Sequence, residues 1–212
     1  MSLEVIITGI TLMKDEWRCI SGYAPGTGKY FRPCIKGTHI TEGFLANRPR
    51  SIEVFSRVVF TTEGDANTPP PHSEDVYVST GQILVKEPVA EPDSIPFLHS
   101  IADEGLVSIY GDYIEHFDNH FVVPTDCGHR SLGTIIARKC KCYLDPAGKT
   151  RIDLQDKTGF EVRNIPCVAR DLQFRPTGTF TDVPVRMSLS RAWRRKENED
   201  EYYWLQCSGV FV

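Results

Sequence analysis

Four potential metal ligands lie close together near the middle of the chain. His116 and His120 are four residues apart, so a helix would place them on one face, and Cys127 and His129 follow after a loop. With the neighbouring carboxylates they are compatible with a metal-dependent enzyme that modifies nucleic acid. However, residues 117–119 favour a turn, and no Cys-x-x-Cys pair accompanies them. We therefore prefer surface histidines to a metal site and expect no metal ion.

Aromatic residues stand beside basic residues in several short segments. Proteins that bind single strands combine a basic groove for phosphates with aromatic rings on which bases stack. Strand alternation also explains such pairs without a ligand, because the ring then faces the core and its basic neighbour faces water. Lys139 and Lys141 share one strand face, and Pro33 would set Arg32 near a sheet edge or bulge. The predicted phosphate contacts are Arg32, Lys139, Lys141, Arg175 and Arg194, and the predicted stacking residues are Tyr30 and Trp193.

The segment Gly26-Thr27-Gly28-Lys29 has the composition of a phosphate-binding loop but not its spacing. That loop needs four residues between its first glycine and Gly-Lys, then Ser or Thr, then a helix. Here five residues separate Gly22 from Gly28, Tyr30 follows the lysine, and the next segment is strand-like. The segment therefore predicts a hairpin turn. The chain also lacks Gly-x-Ser-x-Gly and Ser-x-x-Lys motifs, and we expect neither catalytic residues nor a cofactor.

Positive charge is concentrated in one part of an acidic chain. The 212 residues carry a net charge of −4, yet residues 130–195 hold fourteen Lys or Arg against six Asp or Glu, a net of +8. The remainder must then sum to −12. A locally basic module is compatible with a nucleic-acid partner, although solvated strands also carry lysine and arginine.

Period-two alternation between Gly and Pro turns predicts a mainly β fold. Strands are expected over residues 5–10, 16–21, 29–35 and 52–60, with a short edge strand at 76–78 after the proline loop at 69–71. Helical spacing appears at 95–101 and 106–110. Strand patterns return at 132–143, 150–154, 163–172, 183–189 and 202–212, which suits a second small barrel.

These elements predict two small β-barrels of Greek-key type with a short helical segment between them. The first domain would span residues 1–128, with a Pro-rich loop and a helical insertion, and the second residues 129–212. Seven cysteines without an export signal favour reduced thiols in a cytoplasmic protein. No apolar run approaches the roughly 20 residues that a membrane helix needs, so no membrane partner is expected.

Short motifs along nearly the whole chain resemble a bacterial family of dual OB-fold-containing proteins. They are residues 4–10, Arg18-Cys19-Ile20-Ser21-Gly22, Gly28-Lys29-Tyr30-Phe31-Arg32-Pro33, Pro71-His72-Ser73-Glu74-Asp75, Ser131-Leu132-Gly133, Met187-Ser188-Leu189-Ser190 and residues 204–210. The resemblance implies two OB-type barrels and a role in nucleic-acid binding or modification. Two positions depart from the family pattern: Tyr30-Phe31 replaces a Trp-aliphatic pair, and Asp75 replaces an amide.

The resulting hypothesis is a non-catalytic module that binds single-stranded or structured DNA or RNA within a bacterial multi-component system. Two alternatives stay open. One is the metal-dependent nucleic-acid-modifying enzyme at His116, His120, Cys127 and His129. The other is a protein-interaction scaffold, whose Pro69-Pro70-Pro71 loop and acidic N-terminal half meet a protein partner from the same operon.

Overall fold

A computed structural model of the protein describes residues 1–212 and is mainly β, as the sequence predicts. The chain forms two compact units, Met1–Thr68 with Glu74–Pro96, and Pro69–Ser73 with Phe97–Val212. The predicted boundary between residues 128 and 129 falls inside the second unit, between its strands His120–Pro124 and Leu132–Leu144, and a separable domain beginning there stays a prediction. None of the helices combines the length and apolar character needed to cross a membrane.

The first unit contains a closed barrel of five strands. Its elements are β1 (Ser2–Leu12), β2 (Trp17–Ala24), β3 (Lys29–Cys34), β4 (Ile40–Thr41), α1 (Glu42–Ala46), β5 (Arg57–Asp65) and β6 (Asp75–Val85), with a 3₁₀ turn at Lys14–Glu16. The barrel order is β1-β5-β6-β3-β2, closed by pairing of β2 with β1; β3 and β6 run parallel. Side chains such as Ile7, Ile20 and Phe60 are fully buried inside it.

Two strand predictions in the first unit need correction. The predicted strand 52–60 begins only at Arg57, because Ile52 is buried, Phe55 has a left-handed φ of 69°, and the Ser56 side chain accepts from the Glu53 N–H. The predicted edge strand 76–78 belongs to β6, which lies inside the sheet between β5 and β3.

The predicted hairpin turn at Gly26 to Lys29 is confirmed. It joins β2 to β3, with Gly28 in the left-handed region at φ 69° and its N–H donating to the Ala24 carbonyl over 2.9 Å. Pro33 is accommodated because β2 pairs with β3 only as far as Phe31. Its missing N–H therefore removes no hydrogen bond from that side of the strand.

The second unit is built on a curled, half-barrel sheet. Its elements are α3 (Leu106–Tyr110), β7 (Glu115–Phe117), β8 (His120–Pro124), β9 (Leu132–Leu144), β10 (Thr150–Asp156), β11 (Glu161–Pro166), β12 (Gly178–Phe180), β13 (Val183–Leu189) and β14 (Tyr202–Val210), with 3₁₀ turns at Gly111–Tyr113 and Leu172–Phe174. The remaining helix, α2 (Glu91–Ser100), confirms the helical pattern predicted near residue 95.

The sheet order is β11-β10-β9-β13-β14-β8-β7, with β12 also paired to β9. The sheet curls enough that Cys167, just after β11, forms an isolated parallel bridge with Cys207 on β14. The enclosed core includes Ile135, Cys140 and Val185, all fully buried. The outer face of β9 and β10 carries the alternating polar residues that the sequence predicts.

Candidate nucleic-acid interface

Two of the predicted ligand residues lie in the first unit and are buried. Tyr30 and Arg32 alternate with the inward-facing Phe31 on β3, but their residue exposures are only 8% and 6%. The Arg32 guanidinium donates to the Asp75 carboxylate over 2.9 Å, and both side chains are almost completely buried. Arg32 is thus held in an internal ion pair and is not exposed to a phosphate, which corrects its predicted role. Tyr30 packs edge-on against Tyr23 and presents no open ring face to solvent.

Lys139 and Lys141 lie on the outer face of β9, where the sequence placed them. The intervening Cys140 and Cys142 face the core, with their sulfur atoms 3.7 Å apart. A register shift between β9 and β10 at this point lets Arg138 and Lys139, although consecutive, both be exposed. None of these three cations forms an ion pair with a carboxylate, so their charge is uncompensated by a direct partner.

The basic face of β9 continues onto an aromatic residue and then onto β10. The Lys141 Nζ lies 5.4 Å from the centre of the Tyr143 ring. The Tyr143 hydroxyl donates to Asp153 over 3.1 Å, and Arg151 is the cross-strand partner of Tyr143. Burial, followed by the bond to Asp153, raises the pKa of Tyr143, so this ring stays neutral at physiological pH.

Trp193 and Arg194 lie at a second aromatic group of this unit. The Trp193 ring stacks on Trp204 of β14, with centroids 4.7 Å apart and planes at 25°. His120 of β8 and Phe117 of β7 meet the same Trp204 ring edge-on, at 5.3 and 6.2 Å. Phe117 also contacts Tyr202, with ring centroids 5.1 Å apart. We call these five residues the aromatic cluster: Phe117, His120, Trp193, Tyr202 and Trp204.

Basic residues surround the aromatic cluster, but each has an acidic partner. Arg194 donates to Glu201 over 2.8 Å, Arg195 donates to Asp118 over 2.8 Å, and Lys196 lies 3.3 Å from Glu199. These pairs are exposed or partly exposed, and such pairs typically contribute about 0–1 kcal/mol. A polyanion can therefore displace the carboxylates at little cost.

His120 lies within electrostatic range of both basic regions. Its pKa is lowered first by partial burial and then by the positive charges of Arg195 and Arg151. Arg195 lies over the Trp204 ring at 5.9 Å, whereas Arg151 is next to Tyr143 across the β9–β10 ladder. We call these two regions together the basic–aromatic strip; it comprises Lys139, Lys141, Tyr143, Arg151, His120, Arg195, the buried Trp204 and Trp193.

Arg175, the remaining predicted phosphate contact, lies apart from the contacts that form this strip. It is partly buried beside Cys167, and its Nη2 donates to the Arg170 carbonyl over 3.3 Å. Its Nε is buried and has no hydrogen-bond partner. Nothing in these contacts joins Arg175 to β9 or to the aromatic cluster.

The four potential metal ligands are not brought together. His116 and His120 lie on opposite strands of the β7–β8 hairpin, where they pack against Phe121 and Trp204 respectively. No group of three His, Cys, Asp or Glu side chains in residues 1–212 is arranged to hold a metal ion. The helical spacing on which the metal hypothesis depended is absent, because the turn at residues 118–119 reverses the chain.

Sequence reasoning missed five members of the strip: Tyr143, Arg151, His120, Arg195 and Trp204. Strand alternation places Tyr143 on the same face as Lys141, and counting back across the turn at residues 145–149 pairs it with Arg151, so those two were accessible to pattern analysis. His120 and Trp204 are separated by more than eighty residues in the chain, and no local pattern connects them.

Neither a protein-family model nor a curated protein matches the chain. Among solved structures, one described as "Structure of murine DNA binding protein bound with ds DNA" aligns with 100% of this chain and 96% of that chain. The aligned residues are 9% identical and the TM-score is 0.33. A likeness this distant supports no statement about the fold or the ligand of the present chain.

Proposed function

We propose that this protein binds nucleic acid through the basic–aromatic strip of its second unit. The observation that carries the proposal is the exposed row of Arg138, Lys139 and Lys141, which has no carboxylate partners and continues into Tyr143 and Arg151. Phosphates are the groups that such a row of cations binds, because each contact releases condensed counterions from the nucleic acid.

Three unpaired cations close together on one strand distinguish this surface, because other unpaired cations such as Lys14, Lys29 and Lys36 are separated along the chain. Elsewhere the exposed cations often pair with acids, as Arg57 and Lys86 both do with Glu4. A protein with a net charge of −4 repels polyanions on average, so attraction must come from a confined region. The row on β9 provides such a region, because its three exposed cations have no carboxylate partners.

The test replaces the row and measures the salt dependence of binding. Fluorescence anisotropy with a labelled oligonucleotide, titrated at several salt concentrations, gives the slope of log K against log salt. The triple variant R138Q/K139Q/K141Q removes three cations, so we expect weaker binding and a slope smaller in magnitude by about 2–3. The matched control, K14Q/K29Q/K36Q, removes three exposed cations of the first unit and should leave the slope unchanged.

Two results would contradict the proposal. One is no binding of DNA or RNA, single- or double-stranded, at low salt. The other is an equal loss of affinity in both triple variants, because that would make the attraction a property of net charge and not of the strip.

We also propose that the chain is one of the bacterial dual OB-fold-type proteins that its motifs resemble. Two features support this assignment. The first barrel is closed and its strands β3 and β6 are parallel, and the sheet of the second unit is curled. In that setting the protein acts beside a protein partner from the same operon. Affinity purification with nuclease treatment tests this, since a direct protein partner is retained after the nucleic acid is digested.

A further inference from the structure

Trp193 is an unusually exposed tryptophan whose ring is occupied on one side. Its relative exposure is 46%, whereas Trp204 beneath it is 6% exposed. The stack on Trp204 is the sole ring contact of Trp193, and no cation or side-chain hydrogen bond engages its indole. One flat face of the ring is therefore open to solvent. That face is available for stacking by a flat group.

The Trp193 ring is fixed in place before any ligand arrives. The backbone of Trp193 exchanges hydrogen bonds with Tyr202 at 3.1 and 3.3 Å, and its carbonyl also accepts from the Trp204 indole N–H over 3.1 Å. The Trp204 backbone N–H in turn donates to the Ser190 hydroxyl over 2.9 Å. A ring held this way loses little conformational freedom when it is covered, which favours binding.

The surroundings of Trp193 indicate the chemistry of the group that covers it. The open face takes a flat ring by stacking. The neighbouring Arg194, Arg195 and Lys196 can bind an anion that displaces their carboxylate partners. A ligand that also reaches Lys139 and Lys141 on β9 must carry further anions. A nucleobase on a phosphodiester backbone meets all of these conditions.

Resting on the proposed function, we propose that an unpaired base stacks on the open face of Trp193, so that the strip selects single-stranded nucleic acid over duplex. In a duplex each base is already stacked between neighbours, and reaching its face requires unstacking. Duplex therefore offers the strip only its phosphates, whereas a single strand offers both phosphates and bases.

The experiment compares three probes of equal phosphate number at one salt concentration. They are a thymidine dodecamer, a hairpin with a fully paired stem closed by a linker without bases, and a dodecamer of abasic residues, each followed by anisotropy and by quenching of tryptophan fluorescence. We expect the thymidine strand to bind tightest and W193A to weaken it roughly 5- to 150-fold. W193A should leave the affinity for the hairpin and the abasic strand within about twofold, since neither offers a free base.

Two further variants separate stacking from structural effects. W193F keeps a flat ring and should recover most of the thymidine affinity that W193A loses. Y113A removes another exposed aromatic residue of the same unit, 44% exposed, and should change nothing. Circular dichroism of each variant reports whether the unit is still folded.

The outcomes distinguish the inference from the function on which it rests. Equal binding of thymidine strand and hairpin, with W193A harmless to both, overturns the stacking inference but leaves phosphate binding by the strip intact. Failure of all three probes to bind the wild-type protein at low salt overturns both.

Discussion

Arg32 and Arg194 are both predicted phosphate contacts, but their environments are opposite. Arg32 and Asp75 form an ion pair in which the side-chain exposures are 7% and 1%. Arg194 and Glu201 form one in which they are 48% and 46%. Removing one partner of a buried pair leaves an unpaired charge in a medium of low polarity, whereas an exposed charge is stabilised by water. The first arginine is therefore structural, and the second is available to exchange partners.

This contrast predicts the effect of substituting Asp75. Asp75→Asn should destabilise the first unit by about 3–5 kcal/mol, because it removes the carboxylate to which the buried Arg32 guanidinium donates. The urea midpoint, followed by circular dichroism, should fall accordingly. The control Glu87→Gln removes the acid of the exposed Arg50 pair and should leave the midpoint unchanged. A midpoint equally unaffected by Asp75→Asn would show that the ion pair does not stabilise the unit.

His120 gives the strip a charge that depends on pH. Burial and the charges of Arg195 and Arg151 hold its pKa below the ordinary 6.5, so it is neutral at pH 7. Lowering the pH through that pKa adds a positive charge between the two basic regions. We expect oligonucleotide affinity to rise between pH 7.5 and pH 5.5 more steeply in the wild-type protein than in H120Q, as measured by anisotropy at constant ionic strength. Identical pH profiles would exclude His120 from the interface.

The lowered pKa of His120 has the opposite effect on the stability of the folded second unit. Because the pKa of His120 is lower in the folded chain than in the unfolded chain, the unfolded chain binds more protons as the pH falls through 6.5. His120 therefore destabilises the second unit at acid pH in the absence of ligand. Protonation weakens the fold while it strengthens binding, so bound nucleic acid should protect the unit most at low pH.

At the scale of elements, strand β9 organises the second unit. It pairs with β10 along one side and with β13 and β12 along the other. Its inner face supplies Ile135, Cys140 and Cys142 to the core, and its outer face supplies the exposed cations. The register shift near Arg138 adds a cation to the outer face that strict alternation would have turned inward. The proposed binding surface and the core are thus two faces of one strand.

Helix α3 packs against β9 at Gly133. A Cβ built on Gly133 would lie 2.2 Å from Cδ1 of Ile109, a fully buried residue of that helix. The close approach of helix and strand therefore requires glycine. Gly133→Ala should destabilise the second unit by about 1–3 kcal/mol through overpacking, detected as a lower urea midpoint. Gly81→Ala on β6 has open space around it and is the control; equal small effects in both would show that α3 moves aside freely.

At the scale of the whole molecule, positive and negative charge are distributed unevenly along the chain. The basic residues of 130–195 lie on an otherwise acidic chain, so attraction for a polyanion is local and the rest of the surface repels it. Such a distribution favours one bound strand per protein over a coat of nonspecifically bound nucleic acid. It also explains why average composition alone argues weakly against nucleic-acid binding.

Local patterns were sufficient for most of the fold. Alternation located β9 and β13 closely, helical spacing located α2 and α3, and the glycines after Ala24 located a hairpin turn. These features depend on neighbours within a few residues, where side-chain direction follows from backbone period. The strand expected at 52–60 was misplaced because burial of Ile52, a tertiary effect, holds residues 52–56 outside the sheet.

The sequence by itself determined that the protein is mainly β, that its positive charge is concentrated near the C-terminus, and that Lys139 and Lys141 share a strand face. Only the tertiary structure decided that Arg32 is buried against Asp75 and that Trp193 stacks on Trp204 beside His120. The reason is physical. The alternation of side chains and the local charge follow from neighbouring residues. Burial, ion pairing and ring stacking depend instead on which distant strands the sheets bring together.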